Sequence, residues 1–419
     1  MKRLRLCALI LTGLFAAALP GRGQPRSDIR EVSVKKYIAP GNIWKGETVM
    51  ETNWNKICED PEGRIWFSGG DHWGTDRTDT PDCYERPWGF GNTIVAFYDP
   101  KTDTVTEALD MDRESAIFSN AETPGHGKIH ANILSDSKGN IWTAGYMGSS
   151  YDHEFANAYY PKSYAGGAIV KYDPRTRKTE YYGVPAPFGG TVAMYLDEKR
   201  NTVHGFSVDR GRYWRVNIAS RECRHYETNG RVGVREMIVD NYGRCYFANE
   251  FDGLTRFDPD TETFEDLPIT IPGLRASVVS SRNIIYGVSA QGFLWSLDTK
   301  INRVEEYGHV VAFPKERVYT PNITLDEEWG RLYMVAGGHG ITLAGGMPIL
   351  TIFDLKARKF VWPGKIDVDG CYGAVCARDH TVYFSCYAFS RGQKDKSGQE
   401  IRRPVLVRYD PPKSLEGLN

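Results

Sequence analysis

Two histidines four residues apart, in Gly125-His126-Gly127-Lys128-Ile129-His130, are the first residues in this sequence that could do chemistry. An imidazole titrates near neutrality, so His130 or His126 could act as a general acid or base. Polar residues at comparable points along the chain join them: His72, Arg210, Arg235, Glu250, Arg275, Tyr319 and His339. The rings Trp73, Tyr84, Trp88, Tyr146, Tyr151, Tyr159, Tyr160, Tyr164 and Phe389 lie in long polar segments, where apolar faces with polar tips suit stacking on sugars. Arg77, Arg86, Arg391, Lys394, Arg402 and Arg403 share those segments and suit an acidic ligand. The plainer reading of loop aromatics is that they pack the loops down.

The elements that would position these residues repeat along the whole chain. An acidic turn leads into an alternating apolar strand at Asp60-Pro61-Glu62-Gly63-Arg64-Ile65-Trp66, and again from Asp136, Asp240 and Asp326, with degenerate copies from Asp197, Ser280 and Arg378. A strand ending in aromatic-Asp-Pro recurs at Tyr98-Asp99-Pro100, Tyr172-Asp173-Pro174, Phe257-Asp258-Pro259 and Tyr409-Asp410-Pro411, with looser copies at Leu297-Asp298 and Phe353-Asp354. Each unit therefore reads as four antiparallel strands, A to D, which is the pattern of a β-propeller blade. Seven units are predicted, with A strands beginning near Trp54, Ile129, Thr191, Arg235, Ala276, Asn322 and Tyr372. The last unit lacks a D strand, and a spare strand at Arg30–Ile38 precedes the first. The expectation is an all-β, seven-bladed β-propeller whose last blade is closed by that N-terminal strand, which removes the open edges that invite aggregation.

In such a ring the B–C and D–A connections share one face around the central channel. The B–C connections are short in units three to five, as at Ser289-Ala290-Gln291-Gly292. They are long in units one (69–92), two (145–167), six (337–349) and seven (387–404). Those four units are consecutive in a closed ring, so their loops should form one wall beside a groove. The histidines, arginines and tyrosines named above fall on this face. His204, His225, His309 and His380 fall on the body or the opposite face and read as structural. Asp71, His72, Asp76, Asp79 and Asp82 share one loop, where solvated carboxylates are the better reading, and no metal or other cofactor is expected.

Bulk properties narrow the class. The formal net charge is -1 over 419 residues, which disfavours nucleic acid as a partner. Lys2, Arg3 and Arg5 followed by the apolar run Leu6–Leu19 read as a signal peptide covering 1–23, with a single propeller domain over 24–419. The run is shorter than the roughly 18 apolar residues of a membrane span, so export to the periplasm or beyond, without membrane insertion and as a monomer, is the expectation. Seven cysteines follow Cys7, in no zinc-like spacing. They read as buried thiols, with Cys58–Cys83 one pair left open.

The Trp54–Asp60, Gly63–Gly70 and His126–His130 segments with the Tyr-Asp-Pro turns resemble a group of secreted bacterial propeller enzymes. These are α-L-rhamnosidases and polysaccharide lyases that act on rhamnose–uronic acid linkages in arabinogalactan or ulvan. The resemblance spans nearly the whole chain after the signal segment and implies an acidic polysaccharide or oligosaccharide as partner. For the lyases it implies β-elimination, which needs a cationic partner for the carboxylate, a base for the C5 proton and an acid for the leaving oxygen. Position on the rim gives those roles to Arg235 or Arg275, to His130 or His126, and to Tyr319 or Tyr146. Arg210, His72, His339, Trp73 and Trp88 would complete substrate binding. The rhamnosidases are associated with a first-blade histidine on the other face. This sequence has no histidine before His72 and carries Asn53 and Asn55 in that region. No paired carboxylates stand out for two-acid hydrolysis. A propeller that only binds glycan would keep the aromatic wall without needing a base.

Overall fold

The computed structural model describes residues 30–38, 43–44, 47–48, 56–70, 93–111, 126, 128–146, 166–187, 189–207, 212–228, 236–311, 318–337, 347–394 and 400–418. Seven four-stranded antiparallel sheets account for almost all regular structure in these residues. Blade 1 comprises Cys58–Glu59, Ile65–Gly69, Ile94–Asp99 and Thr104–Asp110; blade 2 comprises Leu134–Ser135, Ile141–Ala144, Ile169–Asp173 and Lys178–Tyr181. Blades 3 to 6 follow over residues 191–227, 237–266, 276–309 and 324–365. Their A strands start within a few residues of the points the repeat predicts. Neighbouring blades meet mainly through these first strands, which form the inner ring. A two-residue hairpin, Ile43–Trp44 with Glu47–Thr48, stands outside the blades.

Blade 7 is composite. Gly370–Cys376, Val382–Lys394 and Glu400–Tyr409 supply its first three strands, and Lys35–Ile38 supplies the fourth. The register sets Lys35 opposite Arg408 and Ile38 opposite Val405. Tyr37 on this strand donates to Asp103 at 2.7 Å and lies 3.0 Å from the Tyr98 hydroxyl, which fastens blade 7 to blade 1. The ring is thus closed by the two ends of the described chain, as the spare strand predicts.

The acidic turn repeats because one carboxylate organises it. Asp60 Oδ1 accepts from the backbone N–H groups of Glu62 and Arg64, and Oδ2 accepts from Arg64 Nε and Trp66 Nε1. Asp136 meets Lys138 N, Asn140 N, Asn140 Nδ2 and Trp142 Nε1 in the same way. In blade 4, Asp240 substitutes the Tyr246 hydroxyl for the indole and takes a further bond from Asn283 of blade 5. A buried carboxylate is tolerated where donors surround it in this manner. The motif therefore ties the turn to the aromatic residue of strand B.

The Asp-Pro turn also has one cause. The aspartate accepts from the backbone two residues on at Asp99, Asp173, Asp258 and Asp298, and a residue with positive φ follows at Asp103, Arg177, Glu262 and Asn302. Blade 3 contains a copy that the pattern misses: Asn217 replaces the aspartate and accepts from Ala219 N and Ser220 N, with Arg221 at φ 60°. An amide oxygen performs the same turn, so a search on Asp-Pro passes over it.

Candidate functional site

The face carrying the B–C and D–A connections is described over two arcs, and each gathers predicted residues. On the first arc, blade 2 enters through His126, Lys128 and His130. Lys128 and Tyr146 exchange backbone hydrogen bonds, 3.3 Å from Lys128 N and 2.9 Å from Tyr146 N, across the mouth of the blade. The His130 and Tyr146 rings meet edge to face with centroids 4.8 Å apart. The Lys128 ammonium lies 5.1 Å from the Tyr146 ring centre.

Two glycines make this packing feasible. A Cβ on Gly145 would stand 2.3 Å from the His126 ring, and one on Gly190 would stand 2.3 Å from the Tyr146 ring. Both rings therefore lie on bare backbone. The consequence corrects part of the expectation. His126 is 2% exposed and Tyr146 is 1% exposed, so neither offers its ring to a substrate. Burial pushes the His126 pKa down to about 4, which keeps the imidazole neutral at neutral pH. His130, half-buried, is the histidine of this pair that remains at the surface. Lys128, fully buried, has no role in the sequence-based reading.

On the second arc, Arg275 at the start of blade 5 meets Tyr319 at the start of blade 6. Arg275 Nε and Nη2 donate to the Tyr319 hydroxyl at 3.2 and 2.6 Å, and the guanidinium lies 5.1 Å from the ring centre. Among the described residues no carboxylate pairs with Arg275. From Tyr319 a row of rings continues into blade 7: Tyr372 at 6.3 Å, Tyr387 at a further 5.9 Å and Phe389 at a further 6.3 Å. Tyr372 reaches the row because the strand register shifts between Cys371 and Gly373, leaving it as the extra residue of a bulge. Tyr387 lies over Gly370, where a Cβ would be 2.4 Å from its ring. Tyr387 opens the segment 387–404 expected as a long B–C loop, which is instead an extension of the paired strands to Lys394 and from Glu400, so its neighbour across the bulge, Tyr372, was not linked to it.

Arg391, expected to suit an acidic ligand, is exposed but already engaged by carboxylates. It donates to Asp369 at 2.9 Å and to Glu400 at 3.2 Å. Asp369 also accepts from Phe389 N at 2.7 Å and so fixes the end of the row. Arg275 is the better anion partner of the two.

A third polar group lies in the inner ring and was not foreseen. Lys56 of blade 1 reaches Glu236 of blade 4, the Tyr195 hydroxyl of blade 3 at 3.2 Å and the Ser277 carbonyl of blade 5 at 3.2 Å. The Ser277 hydroxyl donates to the same Glu236 oxygen at 2.5 Å. Burial opposes the Lys56 charge, yet Glu236 and Tyr195 hold its pKa above the ordinary lysine value. Paired in this way the ammonium is a cross-channel tie rather than a nucleophile.

His72, Trp73, Trp88, Arg210, Arg235 and His339 lie outside the described residues, as do the loop Asp71–Asp82 and the predicted signal segment. Among the described residues no group of three or more His, Cys, Asp or Glu side chains could hold a metal ion. The four histidines read as structural hold local packing. His204 lies between the Tyr213 hydroxyl at 3.0 Å and Cys245 Sγ at 3.1 Å, and burial takes its pKa down to about 4. His380 bonds Asp326 at 2.9 Å and stacks on Trp329. His309 Nε2 lies 2.8 Å from the Gln291 carbonyl, which sets it at the B–C turn of blade 5 on the site face and not on the body or opposite face as expected, and His225 lies 3.6 Å from Cys223.

No family model matches the sequence, and no curated protein matches it. Solved structures share the fold. The extracellular domain of a putative one-component system from B. thetaiotaomicron aligns over 89% of this chain with a TM-score of 0.51 and 11% identity, and the match spans 40% of that protein. A catalytically inactive virginiamycin B lyase from Staphylococcus aureus, solved with quinupristin, aligns over 90% of this chain and 100% of its own, with a TM-score of 0.55 and 11% identity. The protein U3-55K aligns over 92% of this chain and 100% of its own, with a TM-score of 0.55 and 8% identity. A sensor domain, an enzyme and U3-55K sharing this architecture bear on the fold alone.

Proposed function

We propose that this propeller is a carbohydrate-active enzyme that binds an acidic glycan on the face carrying the B–C loops and cleaves it by β-elimination next to a uronic acid. The observation that carries this reading is the Arg275–Tyr319 pair at the head of the row Tyr372, Tyr387 and Phe389. A guanidinium with no carboxylate partner among the described residues suits the carboxylate of a uronic acid. Tyr372 and Tyr387 are 7% and 5% exposed and back the pair from within, so the ring of the row that would meet an adjoining sugar is the half-buried Phe389 at its end. Arg275 would draw charge from the carboxylate and so acidify the C5 proton. His130 would take that proton. Tyr319, whose oxygen accepts both bonds from Arg275, would serve as the acid for the leaving oxygen. His126, Tyr146 and Lys128 act behind His130 as packing that sets its position. The rhamnose–glucuronate linkage comes from the family resemblance and defines the polymers to try first.

The test offers arabinogalactan and ulvan to the purified protein and follows unsaturated uronic acid by ultraviolet absorbance while measuring free rhamnose. Rising absorbance, abolished by His130→Ala and Arg275→Ala, is the expected result. Free rhamnose without absorbance would replace elimination with hydrolysis of the same bond. Silence in both channels with glycan still bound would reduce the reading to a binding protein.

A further inference from the structure

Cys371 and Cys386 are register partners, directly opposite each other on the first two strands of blade 7. Residues opposed in an antiparallel pair have Cα atoms about 4.5–5.5 Å apart, within the span a disulfide bridges. Both are buried, at 1% and 0% exposure, and their thiols share a hydrogen bond. No other two of the described cysteines, Cys58, Cys223, Cys245 and Cys376, are paired across strands. We propose that Cys371 and Cys386 are a dithiol that closes to a cross-strand disulfide as the last blade folds, beneath the Tyr372–Tyr387 step of the aromatic row.

The chemistry balances with a disulfide of low molecular weight as oxidant. One cysteine thiolate attacks that disulfide, forming a mixed disulfide and expelling one thiolate. The second cysteine then attacks the mixed disulfide at the protein sulfur and expels the other. Two protein thiols lose two electrons and two protons, and the oxidant becomes two thiols. Burial places this step before blade 7 is complete. In the folded protein both sulfurs lie in the core shared with Val335, Val368 and Val405, out of reach of an external disulfide. The expected export to an oxidising compartment would favour the bond, but the proposal does not depend on it. It stands apart from the proposed catalysis, since neither thiol is given a part in it.

The experiment refolds the protein from denaturant with either oxidised glutathione or a reductant, then alkylates free thiols under denaturing conditions and maps the peptides. The expected result is a linked Cys371–Cys386 peptide in the oxidised sample and a melting temperature about 3–4 °C above that of the reduced one. The same oxidant added to protein already folded in the reduced state should leave the pair alkylable. Full alkylation of both cysteines after oxidative refolding would overturn the proposal, as would their pairing with other cysteines. Because the map is read on the wild-type chain, a variant that fails to fold cannot obscure it. Cys386→Ser should abolish both the linked peptide and the difference in melting temperature; a difference that persists would overturn the link to this pair.

Discussion

The two faces of this ring are built on opposite principles. The face of the A–B turns uses one device repeatedly: a buried carboxylate at Asp60, Asp136 or Asp240 that gathers backbone, guanidinium and aromatic donors from the next six residues. The face of the B–C loops uses a different arrangement at each blade. His126 and Tyr146 lie on glycines at blades 2 and 3, whereas Arg275, Tyr319, Tyr372 and Tyr387 form a file across blades 5 to 7. Repetition serves stability, because any sheet needs its turn. Difference would serve recognition under the proposed function, where a glycan meets each blade in its own place.

That contrast can be broken by mutation. The largest effect should come from the repeated device. Asp240→Ala leaves Arg244, Tyr246, Asn283 and two backbone N–H groups without their acceptor, so a loss of about 3–5 kcal/mol in urea unfolding is expected. Sugar binding by the protein that remains folded should be unchanged. A loss of binding that exceeds the loss of folded protein would show that the faces are coupled.

Acid should have the next largest effect, and it reaches the loop face and the blade interior together. His126 and His204 have pKa values of about 4 when folded, against 6.5 ordinarily. Above pH 6.5 both are neutral folded or unfolded. Between pH 6.5 and 4 the unfolded chain takes up protons that the folded chain refuses, so stability falls as pH falls. The loss is about 2 kcal/mol per histidine by pH 5. Unfolding free energies at pH 7 and 5 should show it, and His204→Gln should remove roughly half. A flat profile would mean that the two imidazoles are not desolvated.

The smallest effect should be the most specific. Tyr319→Phe removes only the oxygen that receives the two bonds from Arg275. Stability should change by about 1 kcal/mol, while affinity for an acidic oligosaccharide weakens about five-fold. Equal weakening for a neutral oligosaccharide would separate this tyrosine from carboxylate recognition.

The fold was legible in the sequence because the turn device is local. Asp60 and Trp66 are six residues apart, so the motif carries its partners with it, and the missing D strand pointed to the N-terminal one. The copy at Asn217 escaped because an amide oxygen does the same work as a carboxylate. The site was legible only in part. His126–His130 and Tyr319 stood out by type and position, but their exposure depends on distant residues. The bare backbone of Gly145 and Gly190 decides that His126 and Tyr146 are buried. Lys56 was invisible for the same reason, since its partners Tyr195, Glu236 and Ser277 are 139 to 221 residues away.

Closure by Lys35–Ile38 gives the molecule a property that belongs to its history rather than its shape. The strand Lys35–Ile38 must wait for the strand Glu400–Tyr409, so the seventh sheet cannot form until the other six blades have been made. Contacts of such sequence separation are slow to find. Until then the chain is an open arc with two unsatisfied edges. A circular permutant that links the strand Glu400–Tyr409 to the strand Lys35–Ile38 and opens the ring between blades 6 and 7, near Asp367, would make every blade contiguous in the chain. It should close its ring faster while keeping the same seven sheets.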